Sequence, residues 1–293
     1  MVSQTDFDAF IEMAWNDHAD QPEVVAERLQ QSLASIEEPQ RIAPYARLVT
    51  HVFGEHLARW NDGITLLESI RHCSGWHDIP ADHDTLKRNV AALHYAAGNP
   101  AALAGLAAED RVTALAIATS ALMGQNDYAG AINSFEQAVQ QADPGWAASS
   151  PAFRALAVGG NNLACGLEEK NDRDEIQSQG MVSAATAALK YWTLAGTWLQ
   201  QERAEYRLTR SLLKAGRSVE AVAHAQQCIA ICAANGAAPF EHFFGHAALA
   251  MAQRANHETA LFQASRVQAL HFYAQVPADE QVWCATDLTA LED

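Results

Sequence analysis

The chain has 293 residues, of which 49% are hydrophobic, and its 19 Lys and Arg against 35 Asp and Glu residues give it a formal net charge of −16. The apolar content is enough to bury a sizeable core. The excess of negative charge would repel a phosphate backbone, so nucleic acid is not expected as a partner. No uncharged apolar run reaches the roughly 18 residues of a membrane-spanning helix, so no membrane partner is expected either.

The cysteines indicate a reducing compartment, because their number is odd and they are scattered, unlike the disulfide framework of a secreted domain. They are Cys73, Cys165, Cys228, Cys232 and Cys284. The first residues, from Met1 to Asp6, include no basic segment and no apolar run follows them, so no signal peptide is predicted. The expected location is the cytoplasm.

Apolar residues recur every three or four positions along the chain, which predicts helices and no strands. Pro22, Pro100, Pro151 and Pro239 fall where helical periods begin, and the first turn of a helix tolerates proline. In chain order the predicted helices cover residues 5–18, 22–35, 43–59, 61–72, 84–98, 100–108, 110–124, 127–142, 151–170, 173–194, 196–215, 218–234, 239–255 and 257–275, with a cap near 279–290. They form seven hairpins, and the predicted fold class is all-α.

One hairpin pattern recurs along the chain. After a polar turn in the segment 124–138, Ala131, Phe135 and Ala138 fall on one helical face. Weaker copies are Ala221, Ala225 and Cys228, and then Ala260, Ala264 and Val267. If the small residue that faces each turn is placed at Gly63, Ala131, Ile176, Ala221 and Ala260, the intervals are 68, 45, 45 and 39 residues. Repeated helix hairpins are typical of a solenoid.

A solenoid can extend beyond the size of a single globular core, because each repeat contacts only its neighbours. We therefore predict one continuous solenoid over residues 1–293. It contains degenerate repeats in 1–109, clearer repeats in 110–276 and a C-terminal cap in 277–293. The alternative is a domain boundary near 142–151, where a longer loop with a proline is predicted.

Residues 126–128, followed by Ala131, Phe135 and Ala138, resemble a tetratricopeptide repeat. The resemblance extends over roughly residues 110–275, although the 45-residue intervals exceed the usual period of about 34 residues. It implies a right-handed α-α superhelix of about seven helix hairpins, whose concave groove holds a peptide or a partner helix. It implies no inherent chemistry and no cofactor, since function must be argued from a site and not from a fold.

The main candidate site is a cationic stripe in the helix predicted at 196–215, formed by Arg203, Arg207, Arg210 and Lys214 at spacings of four, three and four residues. Arginine forks match carboxylate oxygens. If the repeats have the positions given above, Arg203, Tyr206 and Arg210 are expected to face the groove together with Asn161 of a preceding helix. There they would hold an acidic partner segment. The alternative is a solvated helix face, interleaved with Glu202 and Glu205.

Two other pairs could hold a metal ion by spacing alone. His242 and His246 lie four residues apart on one helix, as do Cys228 and Cys232. Two ligands do not form a site, the histidines lack the glutamate of a zinc-hydrolase motif, and apolar surroundings favour packing for the cysteines. No nucleophile elbow, phosphate-binding glycine loop or dinucleotide fingerprint is present, so no catalytic residue and no bound metal are predicted.

The sequence leaves three hypotheses for function. The favoured one is a non-catalytic scaffold that binds a protein or peptide segment in its groove, and homo-oligomerisation stays open. The second is a regulatory sensor that responds to a signalling peptide. The third is a metal-dependent enzyme that uses the histidines. Under the first hypothesis, replacing Arg203 and Arg210 with alanine is expected to weaken binding of an acidic segment and to leave the melting temperature nearly unchanged.

Overall fold

The computed structural model describes residues 4–292, which are 79% helical and contain no strand. The predicted all-α class is confirmed. Within the described part the α-helices are α1 (Gln4–Asp17), α2 (Pro22–Ser32), α3 (Ile42–Val49), α4 (Trp60–Ser69), α5 (Pro80–Ala96), α6 (Ala108–Gly124), α7 (Tyr128–Gln141), α8 (Pro151–Glu169), α9 (Glu175–Ala195), α10 (Trp198–Lys214), α11 (Ser218–Asn235), α12 (Pro239–Ala255), α13 (Thr259–Tyr273) and α14 (Ala285–Glu292). No helix among them is both long enough and apolar enough to cross a membrane. Residues 1–3 and 293, which the signal-peptide and domain predictions include, lie outside the described residues.

Two predicted helices differ from the observed ones. The segment predicted as a helix at 100–108 forms only a short 3-10 turn, Pro100–Leu103, because the chain turns at Gly105 with a positive φ of 83°. The helix predicted at 43–59 is divided into α3 and a π-helix, Thr50–His56. The remaining 3-10 turns are Leu33–Ser35, Pro39–Arg41, Ile70–His72 and Gln281–Cys284.

Most helices pack against the helix that follows them in the chain, which is the arrangement of an α-α solenoid. The chain divides into two compact units, and the boundary lies within α8, where unit 1 ends at Gly159 and unit 2 begins at Gly160. In unit 1 the consecutive contacts run from α4 to α7, and in unit 2 they run from α9 to α13, with α14 packed on α12.

Each unit has its own apolar core. In unit 1, Phe7, Tyr45 and Phe53 are fully buried, and the Tyr45 hydroxyl donates to the Leu29 carbonyl oxygen at 2.5 Å. In unit 2 the core forms where α12 packs on α13, around Phe243. These cores bury the faces that hydrophobic periodicity predicts. Some polar side chains are buried as well, and each needs a specific partner because burial removes its contact with water.

The repeat register is only partly as predicted. Ala131 and Ala221 are fully buried, whereas Ile176 is 70% exposed and Ala260 is exposed, so those two assignments are wrong. The buried positions are instead Met181, Ala185 and Ala188 in α9, and Phe262, Ser265 and Ala269 in α13. The physical reason in α9 is an early helix start. Asp174 caps the helix by accepting from the Gln177 backbone N–H at 2.8 Å, so its first turn precedes the packed segment.

Candidate functional site

The cationic stripe lies on α10, as predicted, and α10 begins at a capping box between Thr197 and Gln200. Its buried side carries Ala204, Leu208 and Leu212, which set the orientation of the helix. Three arginines and a tyrosine of α10 reach towards carboxylates on neighbouring helices. We call these side chains and their partners the α10 network; it comprises Glu168, Arg203, Tyr206, Arg207, Arg210, Glu241 and Asp287.

Arg210 and Tyr206 converge on one carboxylate of α14. Arg210 Nη1 donates to Asp287 Oδ1 at 2.7 Å, and the Tyr206 hydroxyl donates to the same oxygen at 2.8 Å. Asp287 is buried, and Tyr206 packs edge-on against the Phe244 ring. Burial and the Asp287 charge raise the pKa of Tyr206, so its proton stays in place to donate. Burial opposes the charge of Arg210, but Tyr206 and Asp287 outweigh it and its pKa is raised.

Arg207 pairs with a carboxylate of α8. Its Nη1 donates to Glu168 Oε2 at 2.6 Å, and the Ser211 hydroxyl donates to Glu168 Oε1 at 2.6 Å. Both oxygens of this buried carboxylate are therefore occupied. Arg207 itself is about three-quarters buried, and such a pair is stable only while both partners are present.

Arg203 is the most accessible arginine of the three. Its Nη2 donates to Glu241 Oε1 at 2.5 Å, and this hydrogen bond raises the pKa of Arg203. Glu241 lies in the first turn of α12, where the helix dipole favours a negative charge. The Arg203 side chain remains 58% exposed, so a further carboxylate can reach the guanidinium from solvent.

The glutamates that sequence reasoning assigned to a solvated face are buried. Glu205 Oε2 is bonded to His224 Nδ1 at 2.7 Å, and Glu202 Oε1 accepts from Cys228 Sγ at 2.8 Å. Burial, reinforced by the nearby charge of Glu241, raises the pKa of Glu202 to about 8. Around Glu202 and Glu205 the face is therefore a buried polar contact with α11 and α12, and the solvated-face alternative describes only its exposed ends, Arg203 and Lys214.

The structure brings three of the four predicted site residues into the α10 network. The fourth, Asn161, lies on α8 and donates through Nδ2 to Asn162 at 3.4 Å. No hydrogen bond or ion pair joins Asn161 to Arg203, Tyr206 or Arg210 in the described part of the chain. Whether any of the four contacts a partner stays a prediction.

Sequence reasoning missed Glu168, Glu241 and Asp287, the carboxylates that pair with the arginines. They lie 38 to 77 residues from their partners in the sequence. A weak signal was available, since each is an acidic residue within an otherwise apolar helical period. Such a residue is costly to bury without a cation.

The predicted histidine pair contacts an aromatic ring. His242 and His246 both stack on Phe272, with ring centroids 4.5 and 5.4 Å apart from it, and burial lowers the pKa of each histidine. Neither belongs to a group of three or more potential metal ligands among the described residues.

No family model matches the chain, and no curated protein matches it in sequence.

Proposed function

We propose that this protein is a non-catalytic binding scaffold, built from tetratricopeptide-like helix pairs, that holds a segment of another protein. The observation that carries the proposal is a set of apolar side chains left in solvent near the starts of alternate helices in unit 2. Ile176, Val219 and Leu261 lie in the first turns of α9, α11 and α13, and they are 70%, 77% and 53% exposed. Exposed apolar residues that recur in this way are typical of a contact surface.

The packing order indicates why these three residues share one edge of unit 2. Consecutive helices from α9 to α13 pack on each other and are joined by short turns, so alternate helices begin at the same end. Neighbouring helix axes are about 8–10 Å apart. We call Ile176, Val219 and Leu261 the apolar row. Because its members begin alternate helices, a partner segment that contacts all three must extend across more than one neighbouring-helix spacing.

The α10 network adds a polar anchor to this proposal. Arg203 is exposed and already bound to Glu241 on one side, so an acidic group of the partner would complete its set of hydrogen bonds. Arg210 is not available in the same way, because it is mostly buried and bound to Asp287. As part of the proposal we place the protein in the cytoplasm, which its five free cysteines support.

The experiment is a peptide-display selection on the whole protein, followed by titration of the selected peptides by fluorescence anisotropy. Replacing the apolar row with serine should weaken binding by at least about tenfold, since roughly 1.5–3 kcal/mol accompanies burial of each such side chain. Val282→Ser is the matched control, because Val282 is equally exposed but lies outside the row. Equal affinity of the parent and the row variant would contradict the proposal.

A second candidate function is a peptide-responsive sensor, and Asp287 is the observation that favours it. One buried carboxylate oxygen joins α14 to both Arg210 and Tyr206 of α10. A ligand carboxylate that replaced Asp287 at Arg210 would release α14 from α10. Hydrogen exchange would separate the two functions: a sensor should lose protection in α14 when peptide binds, whereas a scaffold should not.

A further inference from the structure

Three histidines of unit 1 converge although they are distant in sequence. His18 follows the last residue of α1, and His51 and His56 belong to the π-helix Thr50–His56. Their ring centroids are 4.7 to 5.0 Å apart, and one ligand nitrogen of each lies within 4.8 Å of the others. We call these three residues the histidine cluster. It belongs to a different unit from the α10 network.

The π-helix is what aligns two members of the cluster. Residues five apart in an α-helix are separated by about 140° around the axis, because each residue turns by about 100°. In a π-helix the backbone bonds connect residues five apart, so His51 and His56 lie one above the other. The Leu57 N–H accordingly donates to the Val52 carbonyl oxygen at 3.1 Å. Single π-helical turns of this kind are frequent at functional sites.

The distance between the two nitrogens suits a shared metal ion. His51 Nε2 and His56 Nε2 form a hydrogen bond of 3.1 Å, so the two nitrogens already face each other. Two nitrogens bound to one tetrahedral zinc ion, each at about 2.0–2.1 Å, are separated by about 3.3 Å. Without an ion, one of these two nitrogens donates to the other, and His18 has no hydrogen bond to either ring among the described residues; an ion would bind a lone pair of all three rings.

Two rings are also held by their other nitrogens. His51 Nδ1 is bonded to Glu55 Oε2 at 2.7 Å, and His18 Nδ1 is bonded to the Trp15 carbonyl oxygen at 2.5 Å. In protein metal sites the non-ligating nitrogen usually donates to a carboxylate or a backbone carbonyl, which fixes the tautomer and orients the ring. The same pattern here makes Nε2 of both rings the nitrogen available to an ion, and His51 Nε2 faces His56.

The surroundings provide both support and access. The Trp15 ring packs against His18 and His51, and the Arg47 guanidinium covers the Trp15 ring at 4.9 Å from its centroid. All three histidines are half-buried, so an ion can enter from solvent.

Among the described residues one other group of potential metal ligands occurs, formed by Glu202, Cys228 and Cys232. It is fully buried, and its Cys228 thiol donates a hydrogen bond to Glu202.

We propose that His18, His51 and His56 bind a divalent transition-metal ion, Zn²⁺, through three imidazole nitrogens, with water in the fourth position. Imidazole nitrogen is a preferred ligand of zinc, and a site with three protein ligands keeps one position open to a further donor. The Glu55 carboxylate acts through His51 and does not contact the ion. This site is independent of the scaffold function proposed for unit 2.

The test uses untagged full-length protein that has been stripped with a chelator and dialysed. Titration with ZnCl₂ by calorimetry should give one site per chain, and Co²⁺ as a spectroscopic substitute should give the absorption of a tetrahedral complex. His56→Ala should abolish stoichiometric binding. His18→Ala should do the same, and it leaves the π-helix unchanged. Glu55→Gln should weaken zinc binding by about 10–100-fold.

The control is His271→Ala, because His271 is an exposed histidine of unit 2 outside the cluster and its loss should leave binding unchanged. Circular dichroism of each metal-free variant reports whether it has folded. The proposal is overturned if the parent binds no zinc at micromolar concentrations, or if folded His18→Ala or His56→Ala binds zinc as tightly as the parent.

Discussion

The hairpins α6–α7 and α10–α11 share a pattern of small residues but differ in what occupies the contact between their helices. In the first, Ala131, Phe135 and Ala138 are buried where α7 packs on α6, and the Ser134 hydroxyl donates to the Leu115 carbonyl oxygen at 2.9 Å. In the second, Ala221, Ala225 and Cys228 take the same places, and the buried side of α10 presents the carboxylates Glu202 and Glu205.

One side-chain difference accounts for much of this contrast. Phe135 fills its position with an aromatic ring, whereas Ala225, at the equivalent position, lies in a cluster with Tyr206 of α10. A small residue on α11 leaves room for long polar side chains on α10. Those side chains must then be matched, because a buried charge without a partner is costly. The first hairpin is therefore stabilised by packing, and the second also depends on charge pairing.

The largest expected effect comes from removing one partner of a buried pair. Glu168→Ala should lower the free energy of unfolding by about 3–5 kcal/mol, because it leaves Arg207 charged and mostly buried. Urea denaturation measures the effect. The matched control is Glu220→Ala, which breaks the exposed pair of Glu220 with Arg217 and should cost less than about 1 kcal/mol. Similar midpoints for the two variants would mean that the Glu168 pair is no more important than a surface contact.

The second prediction separates two arginines that the sequence treats alike. Arg210→Ala should destabilise unit 2 by about 3 kcal/mol because it leaves Asp287 buried and unpaired. Arg203→Ala should cost less, about 1–2 kcal/mol: it leaves the buried Glu241 without its cation, but Arg203 is 58% exposed and the first turn of α12 favours the Glu241 charge. The expectation that the double variant keeps its melting temperature is therefore revised. Thermal unfolding of each single variant checks this, and equal melting temperatures would contradict it.

The third prediction concerns the apolar hairpin. Ala131→Leu should destabilise the protein by about 1–3 kcal/mol, since Ala131 is fully buried and a larger side chain forces the helices apart. Ala260→Leu is the control, because Ala260 is exposed and an exposed substitution usually changes stability by less than about 0.5 kcal/mol. Denaturant midpoints decide the result, and an unchanged midpoint for Ala131→Leu would remove Ala131 from the helix contact.

The fourth prediction is a pH dependence that Glu202 gives to the polar hairpin. The pKa of Glu202 is about 8 in the folded protein against 4.5 for a free glutamate, so the folded state holds its proton more tightly. The stability from this group is complete below pH 4.5 and is lost as pH rises towards 8, by at most about 1.4 kcal/mol per pH unit. Glu202→Gln should therefore gain stability relative to the parent between pH 5 and pH 8. A constant difference across this range would show that Glu202 is ionised throughout.

Helix positions could be predicted from the sequence because proline and hydrophobic period act locally. The predicted bounds of α12, 239–255, are those observed, and Pro239 begins the helix. The helix predicted at 100–108 failed where Gly105 adopts a positive φ, which no apolar period reports. The π-helix at Thr50–His56 was missed for a related reason, since its composition does not differ from that of an α-helix.

The candidate site was predictable only in part. The spacing of Arg203 and Arg210 identified the stripe, because side chains on one helix are related by its period. Their partners could not be found in this way, since Asp287 is 77 residues from Arg210 and the contact is set by how α14 packs in unit 2. The histidine cluster could not be predicted, because His18 is distant in sequence and the five-residue spacing of His51 and His56 is neither an α-helical nor a strand spacing.

In the π-helix, the number of residues between His51 and His56 matters as well as the identity of those residues. Such a turn is equivalent to an α-helix that has received one inserted residue. Deleting a single residue between His51 and His56 would restore α-helical bonding and leave the two histidines four positions apart. The two histidines, whose rings now meet edge-on, would then be about 40° apart around the axis and still on one face of the helix. A one-residue deletion would thus replace five-residue backbone bonds such as Leu57 to Val52 with four-residue ones, whereas point substitutions between the two histidines leave their spacing intact.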